Sequence, residues 1–385
     1  MPKNIVVCCD GTSNEIKDNI SNVLKLFRVV KKDANQYVFY DPGVGTLSQN
    51  DQWGQIRYKF KGVLGLATGY GLDDNILEAY NFLIDHYEDG DQIYLFGFSR
   101  GAYTVRALAG FIHLIGLIQP NQKNLCGYAL TAYKQSSDKN NLAISWGFQK
   151  ITSGRRVPIK FIGVWDTVAS VLVPRADRLF IPTLQTLPYT RTNPSVKVFR
   201  QAMAIDERRR MFRLNKWNDP QDFVENPFKK TNSHPKQDIK QVWFAGVHSD
   251  IGGGYPEMES GLSKYPLQWM INEAVSYGLL INKATFKHIV NGKKRAGGDF
   301  IYVAADPLAK LHDSMTPGWQ PLEWLPKSAK LKEWPQRKSV FGFYLPKSEP
   351  RHIPDNAFIH SSVLAKIEND RTYIVPNLPK QYQLV

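Results

Sequence analysis

Apolar positions along the chain fall into two alternating textures: short unbroken runs and helically spaced stripes. Asn4–Cys9 (NIVVCC), Tyr37–Tyr40 (YVFY), Ile93–Phe96 (IYLF), Pro158–Trp165 and Ile239–Ala245 are runs of β-formers with almost no polar interruption. Such runs mark strands buried on both faces. Between them, Asn22–Lys32 repeats Val23, Leu26, Phe27 and Val30, and Leu72–Tyr87 repeats Ile76, Ala79, Tyr80 and Leu83. Those spacings of three and four place one apolar face on a helix. Asp73 and Asp74 favour the first turn of the second helix through its dipole. Gly261–Leu279 and Ser362–Asn369 read as further helices, and so does Asn193–Trp217 with its charged stretch Asp206–Arg209. Strand, helix and strand in repeated succession predict an α/β fold, a mostly parallel central sheet with helices on both faces and long loop or helical insertions. The expected organisation is one domain over 1–385, with an irregular part 283–385, rich in Pro, Lys and Trp, packed on it.

The chemistry gathers at the expected carboxyl ends of these strands. Ile93–Phe96 runs into Gly97-Phe98-Ser99-Arg100-Gly101, and a helical pattern with Val105, Leu108 and Ala109 follows at once. Strand, Gly-x-Ser-x-Gly and helix make the context of a nucleophile elbow, the mark of an α/β-hydrolase-like fold. A sharp turn there lifts the Ser99 hydroxyl clear of the sheet, and a Cβ at Gly97 or Gly101 would collide. The backbone N–H of Arg100, at the helix start, is a candidate oxyanion donor, and Gly11 or Thr12 after the first strand a candidate second. Asp166 ends its strand downstream of Ser99, where a hydrolase keeps the carboxylate that orients its histidine; a helix N-cap is the rival role. His248 ends another strand in a glycine-rich loop and is the candidate base, with His360 and then His312 as rivals. Asp10 either supports a ligand-binding turn or caps its own loop. Val171–Tyr189, bulky and proline-broken, reads as a lid or acyl-chain wall.

Composition narrows the field. With 385 residues and 43% hydrophobic side chains, a large core is available. No run of about 18 apolar residues occurs, so no membrane-spanning helix is expected. No secretory signal is visible at the start, which places synthesis in the cytoplasm. Three cysteines make no disulfide framework, and Cys8 and Cys9 read as buried core residues. A net charge of +14 suits an anionic membrane surface, while no nucleic-acid module accompanies it. The Ser chemistry needs no metal or other cofactor. Asp10, Asp166 and Asp250 at strand ends leave a metal-dependent phosphoesterase as an alternative, and a non-catalytic lipid- or protein-binding module of the same fold is a third reading.

Together the motifs CDGT, YDPGVGT, GFSRGAYTVRALAG, VWDTV, AIDERRRMF, VWFAGVHSDIGGGY, LSKYPLQWM and IHSSV resemble the DUF2235 family, which includes the catalytic domain of Tle1-like type VI secretion lipase effectors. The resemblance implies an α/β-hydrolase with a Ser-Asp-His triad acting as a phospholipase or carboxylic-ester hydrolase. By motif, the triad is Ser99 in GFSRG, Asp166 in VWDTV and His248 in GVHSD. It also implies a secretion machinery or an immunity protein as partner, and export by a specialised secretion system. Tle1-like effectors carry a further region thought to meet membranes, for which the residues after IHSSV are too few, so the expectation transfers to the hydrolase chemistry.

Overall fold

In a computed structural model, the structure describes residues 2–11, 20–43, 71–138, 141–168, 172–174, 182–184, 187–225, 233–295 and 300–385. Twelve strands are described: β1 (Asn4–Cys9), β2 (Gln36–Asp41), β3 (Gln92–Phe98), β4 (Ile159–Trp165), β5 (Leu172–Pro174), β6 (Pro182–Leu184), β7 (Val196–Ala204), β8 (Asp238–Phe244), β9 (Lys327–Ser328), β10 (Phe343–Tyr344), β11 (Ala357–Ile359) and β12 (Tyr382–Leu384). Eight of them form one sheet in the order β12-β11-β8-β7-β4-β3-β1-β2, and every neighbouring pair in it is parallel. A parallel sheet needs crossover helices on its faces. The described helices are α1 (Asn22–Val29), α2 (Leu72–His86), α3 (Ser99–Ile115), α4 (Cys126–Asp138), α5 (Ala143–Thr152), α6 (His248–Gly252), α7 (Gly261–Ser276), α8 (Lys283–Ile289), α9 (Gln320–Glu323) and α10 (Ser361–Asn369).

Strand alternation divides the interior into two cores. Ile5, Val7, Cys9, Ile93 and Leu95 face one side and pack with α2, α3 and α4. Val6, Cys8, Tyr94, Phe96 and Trp165 face the other and pack with Val23 and Leu26 of α1 and with Leu267, Met270 and Ile271 of α7. Both faces of the central strands are therefore dry, which is why their sequences are apolar runs. The fold is α/β-hydrolase-like. Residues 357–384 add β11 and β12 to the same sheet, and Ile353, Ile359 and Val363 pack a third cluster against Met203 and Trp243.

One expected helix is a strand. Val196–Ala204 spaces Val196, Phe199 and Met203 as a helix would, and Arg200 and Gln201 interrupt the apolar run. Yet β7 lies between β4 and β8 with both faces covered. Arg200 is buried because Asp238 and Glu273 accept its N–H groups at 2.9 and 2.7 Å, and Gln201 donates to the Asn215 carbonyl. Of the expected lid, β5 and β6 pair antiparallel, and most of the remainder lies outside the described residues, as does Thr12. Among the described residues no helix is long and apolar enough to cross a membrane.

The elbow depends on backbone-to-backbone proximity. A Cβ on Gly101 would sit 2.1 Å from the Cys9 carbonyl oxygen and 2.5 Å from that of Asp10, and one on Gly97 would sit 2.4 Å from the Gly101 carbonyl oxygen. Neither neighbour is a side chain that can swing away. Gly101→Ala is expected to cost roughly 2–3 kcal/mol or more by forcing α3 off β1. Urea denaturation checks this; an unchanged midpoint would show that the elbow tolerates a wider spacing.

Candidate active site

Four adjacent strands end at one edge and deliver the polar residues. β3 ends at Ser99, β4 at Asp166, β7 at Asp206 and Glu207, and β8 at Gly246-Val247-His248. Open α/β sheets carry their ligands at this edge. The register places Phe98 beside Trp165 and Ala204 beside Phe244, so the chains turn at neighbouring points. Ser99 and Asp166 both have positive φ, 57° and 39°, outside the comfortable range for a side chain with a Cβ.

The structure brings Ser99, Asp166 and His248 together. His248 Nε2 lies 2.8 Å from Ser99 Oγ, and His248 Nδ1 lies 2.5 Å from Asp166 Oδ2. His248 and Asp166 are buried, while Ser99 is partly open. The imidazole packs between the Phe98 ring, 4.7 Å away, and the Phe212 ring at 4.9 Å.

Asp166 has a further partner that the sequence pattern does not announce. Arg351 donates Nη1–H to Asp166 Oδ1 at 2.5 Å and Nη2–H to Oδ2 at 3.0 Å, and the Ala204 N–H reaches Oδ1 at 2.9 Å. Burial alone would push the Asp166 carboxyl up, but Arg351 and His248 together hold it well below the usual carboxylate range. The same pairing holds Arg351, fully buried, firmly in its charged form.

The loop carrying His248 is fixed by three carboxylates. The N–H groups of Gly246, Val247 and His248 donate to Asp206 (2.7 Å), Asp250 (3.0 Å) and Glu207 (3.2 Å) in succession. The Asp206–Arg209 stretch is thus no helical charge face. It follows β7 directly, and Glu207 also takes Arg209 at 2.8 Å. A pair of acids immediately after a buried strand was the available signal. Burial pushes Asp206 up to about 6.

His312 and His360 occupy other places. His312 bridges Asp250 at 2.7 Å and Glu259 at 2.8 Å and stacks on Tyr255. His360 caps α10 through Ser362 and stacks on Phe244, without reaching Ser99 or Asp166. Asp10 receives the Ser21 and Tyr40 hydroxyls and the Gly11 N–H (2.7 Å), so it ties β1 to α1 and β2. That bond engages the Gly11 amide elsewhere than an oxyanion. Arg100 is the second residue of α3, within the turn whose N–H groups have no intrahelical acceptor. Asp10, Asp166 and Asp250 are committed to separate partners, and among the described residues no group of three His, Cys, Asp or Glu side chains is arranged to hold a metal ion.

Two outcomes follow from this electrostatics. A group with a depressed folded pKa contributes stability above its unfolded pKa, and that contribution is lost as pH falls through the folded value. Arg351→Met removes the main cause of the depression at Asp166, so acid unfolding should begin at higher pH, with about 3–5 kcal/mol lost near neutrality. Arg351→Lys should recover part of both. Acid titration of the far-UV signal reads the shift, and an unmoved midpoint would detach Arg351 from Asp166. His312 behaves oppositely: although burial pulls it down, Asp250 and Glu259 raise its pKa. Its contribution is full below the ordinary histidine value of about 6.5 and is lost as pH rises through the raised one. The difference in Tm between the parent and His312→Asn should therefore shrink with rising pH; a constant difference would contradict it.

Residues 3–273 match the family model described as T6SS, phospholipase effector Tle1-like, catalytic domain. The uncharacterized protein YEL023C of Saccharomyces cerevisiae is 33% identical over 227 residues, covering 55% of this chain and 32% of its own. Among solved structures, an uncharacterized protein from Pseudomonas aeruginosa is similar over 73% of this chain and 46% of that one, with 19% identity and a TM-score of 0.38. The Tle1 effector bound to the VgrG spike of the type 6 secretion system is similar over 68% of this chain and 52% of its own, with 21% identity and a TM-score of 0.32. The chain spans about a third of the curated relative's length and about half of each solved one. By the match over residues 3–273, this chain belongs to the family of Tle1-like phospholipase effector catalytic domains.

Proposed function

We propose that the chain is a serine hydrolase that cleaves carboxylic esters, with lipid or phospholipid acyl esters as its substrates. The observation that carries this reading is the unbroken hydrogen-bonded line from Ser99 Oγ through the His248 ring to the buried Asp166. Ser99 Oγ attacks the acyl carbonyl carbon while His248 Nε2 takes its proton. Asp166 accepts the Nδ1–H, which leaves Nε2 as the basic nitrogen and stabilises the imidazolium once it forms. The tetrahedral oxyanion is held by the Arg100 N–H, with Thr12 as the remaining candidate for a second donor; each such donor lowers the barrier by about 3 kcal/mol. Collapse returns the proton from Nε2 to the leaving alcohol. Water, deprotonated by the same nitrogen, then releases the acid and regenerates Ser99.

Phe98 and Phe212 flank the imidazole and keep water from its faces, which strengthens the Asp166–His248 bond. Family membership supports a lipid ester as substrate, and we extend to this chain, on the same footing, a type VI secretion partner.

A fluorophosphonate probe followed by peptide mass spectrometry tests the reading. Ser99 should be modified in the parent and unmodified in His248→Ala, and Ser99→Ala should lower ester turnover by about 10⁴-fold or more. Folded protein whose ester hydrolysis survives Ser99→Ala and disappears with a chelator would overturn it in favour of a metal-dependent enzyme.

A further inference from the structure

Residues 319–351 are tied to the residues around the site at both ends. The outgoing leg is pinned beside the site: the Trp319 ring meets Phe212 edge-on at 5.5 Å, and Glu323 accepts the Arg210 N–H at 2.6 Å. The returning leg is pinned by Glu349, which takes Arg213 at 2.9 Å and the Tyr344 hydroxyl at 3.0 Å, two residues before Arg351. Between the legs, β9 and β10 pair antiparallel.

This hairpin is apolar where a solvated one is polar. Val340 and Phe343 exchange both backbone hydrogen bonds, at 2.8 and 2.9 Å, across the two-residue turn Phe341-Gly342, whose φ values are 48° and 78°. A turn with two positive φ values favours Asn-Gly, and an aromatic residue at its first position is strained. Phe341 nevertheless sits there, 95% exposed, with Val340 68% exposed beside it. Along β10 and beyond, Phe343 and Leu345 point outward while Tyr344 points in. Trp324, 61% exposed, and Leu325 add further exposed apolar side chains. Behind the turn lies an open, mostly apolar groove of about 880 Å³, lined by Trp334, Arg337, Val340, Phe343, Tyr344 and Pro350.

The charge around this patch selects its occupant. Residues 324–347 hold five lysines and one arginine against a single acid, Glu333. Glu333 is paired with Arg213 at 3.1 Å and Arg337 with Glu349 at 3.2 Å, while Lys327 and Lys332 are partly buried. Lys330, Lys338 and Lys347 are exposed, the last with its ammonium 4.9 Å above the Trp324 ring. Protein-binding surfaces are depleted in lysine and enriched in arginine. A strained exposed aromatic tip with tryptophan beside it and lysines around it suits the boundary of a bilayer, where rings enter the headgroup level and long basic side chains reach phosphates.

We propose that the hairpin within residues 324–347 docks the protein on an anionic lipid surface, with Phe341, Val340 and Trp324 entering the headgroup–acyl boundary and Lys330, Lys338 and Lys347 meeting the phosphates. Its purpose, presenting lipid esters to Ser99, rests on the hydrolase reading, whereas docking is measured without turnover. The test uses the Ser99→Ala chain and sedimentation with vesicles of phosphatidylcholine, alone or mixed with phosphatidylglycerol. Sedimentation should require the anionic lipid and weaken with added salt. Phe341→Asn, which relieves the turn, should keep or raise Tm yet lower vesicle affinity about tenfold, and Lys338→Gln with Lys347→Gln should lower it similarly. On a Ser99 background, Phe341→Asn should leave hydrolysis of a soluble short-chain ester unchanged. Equal sedimentation of parent and both variants, or none by the parent, overturns the docking proposal. If docking holds and no ester is turned over with Ser99 present, the hydrolase reading fails and the lipid surface stands.

Discussion

The site depends on one buried carboxylate. Asp166 has no exposed surface and accepts four hydrogen bonds: from His248 Nδ1, from both terminal nitrogens of Arg351 and from the Ala204 N–H. A lone carboxylate in that position would give up its charge, since desolvation costs several kcal/mol. Arg351 prevents this, and its two terminal nitrogens also donate to the carbonyls of Ala204 and Phe212. The end of β7, the segment that bears Phe212 and the chain around Arg351 are thereby joined at one point. The orientation of His248, and through it the line to Ser99, follows from that junction.

Strain is concentrated at the same edge. Ser99 and Asp166 adopt positive φ at the buried ends of two adjacent strands, and conformations of this kind persist only when their surroundings over-determine them. Here the surroundings are the two apolar cores on either side of the sheet and the near contact of α3 with β1 at Gly101. The carboxylates of Asp206, Glu207 and Asp250 hold three successive amides before and at the start of α6, so the imidazole is placed by backbone bonds as well as by Asp166.

Much of this was legible in the residues. Buried parallel strands write themselves as apolar runs, and a side chain at the end of such a run points to the ligand-binding edge whether or not its partners are known. That is how Ser99, Asp166 and His248 can be read separately from a chain in which Ser99 and His248 stand 149 positions apart. β7 was not legible, because the polar pair Arg200 and Gln201 is made tolerable only by Asp238, Glu273 and Asn215, which lie elsewhere in the chain. Arg351 was hidden for the same reason. It stands 185 positions after Asp166, in a proline-broken stretch with no period to lend it a face. The Gly11 amide shows the converse: a turn at a strand end looks like an oxyanion site until its own Asp10 takes the N–H.

The family match ends at residue 273, and the three residues of the Ser99 line all precede that point. Their support does not. Arg351, His312 and Trp319 come later in the chain, and each touches a group that sets the geometry: Asp166, Asp250 and Phe212 respectively. The early segment alone would leave Asp166 with His248 and one amide, and desolvation would then act on it with little opposition. Residues 274–385 therefore belong to the same electrostatic unit as the strands they follow. Substitutions at Arg351, His312 and Trp319 thus reach His248 through Asp166, Asp250 and Phe212 respectively.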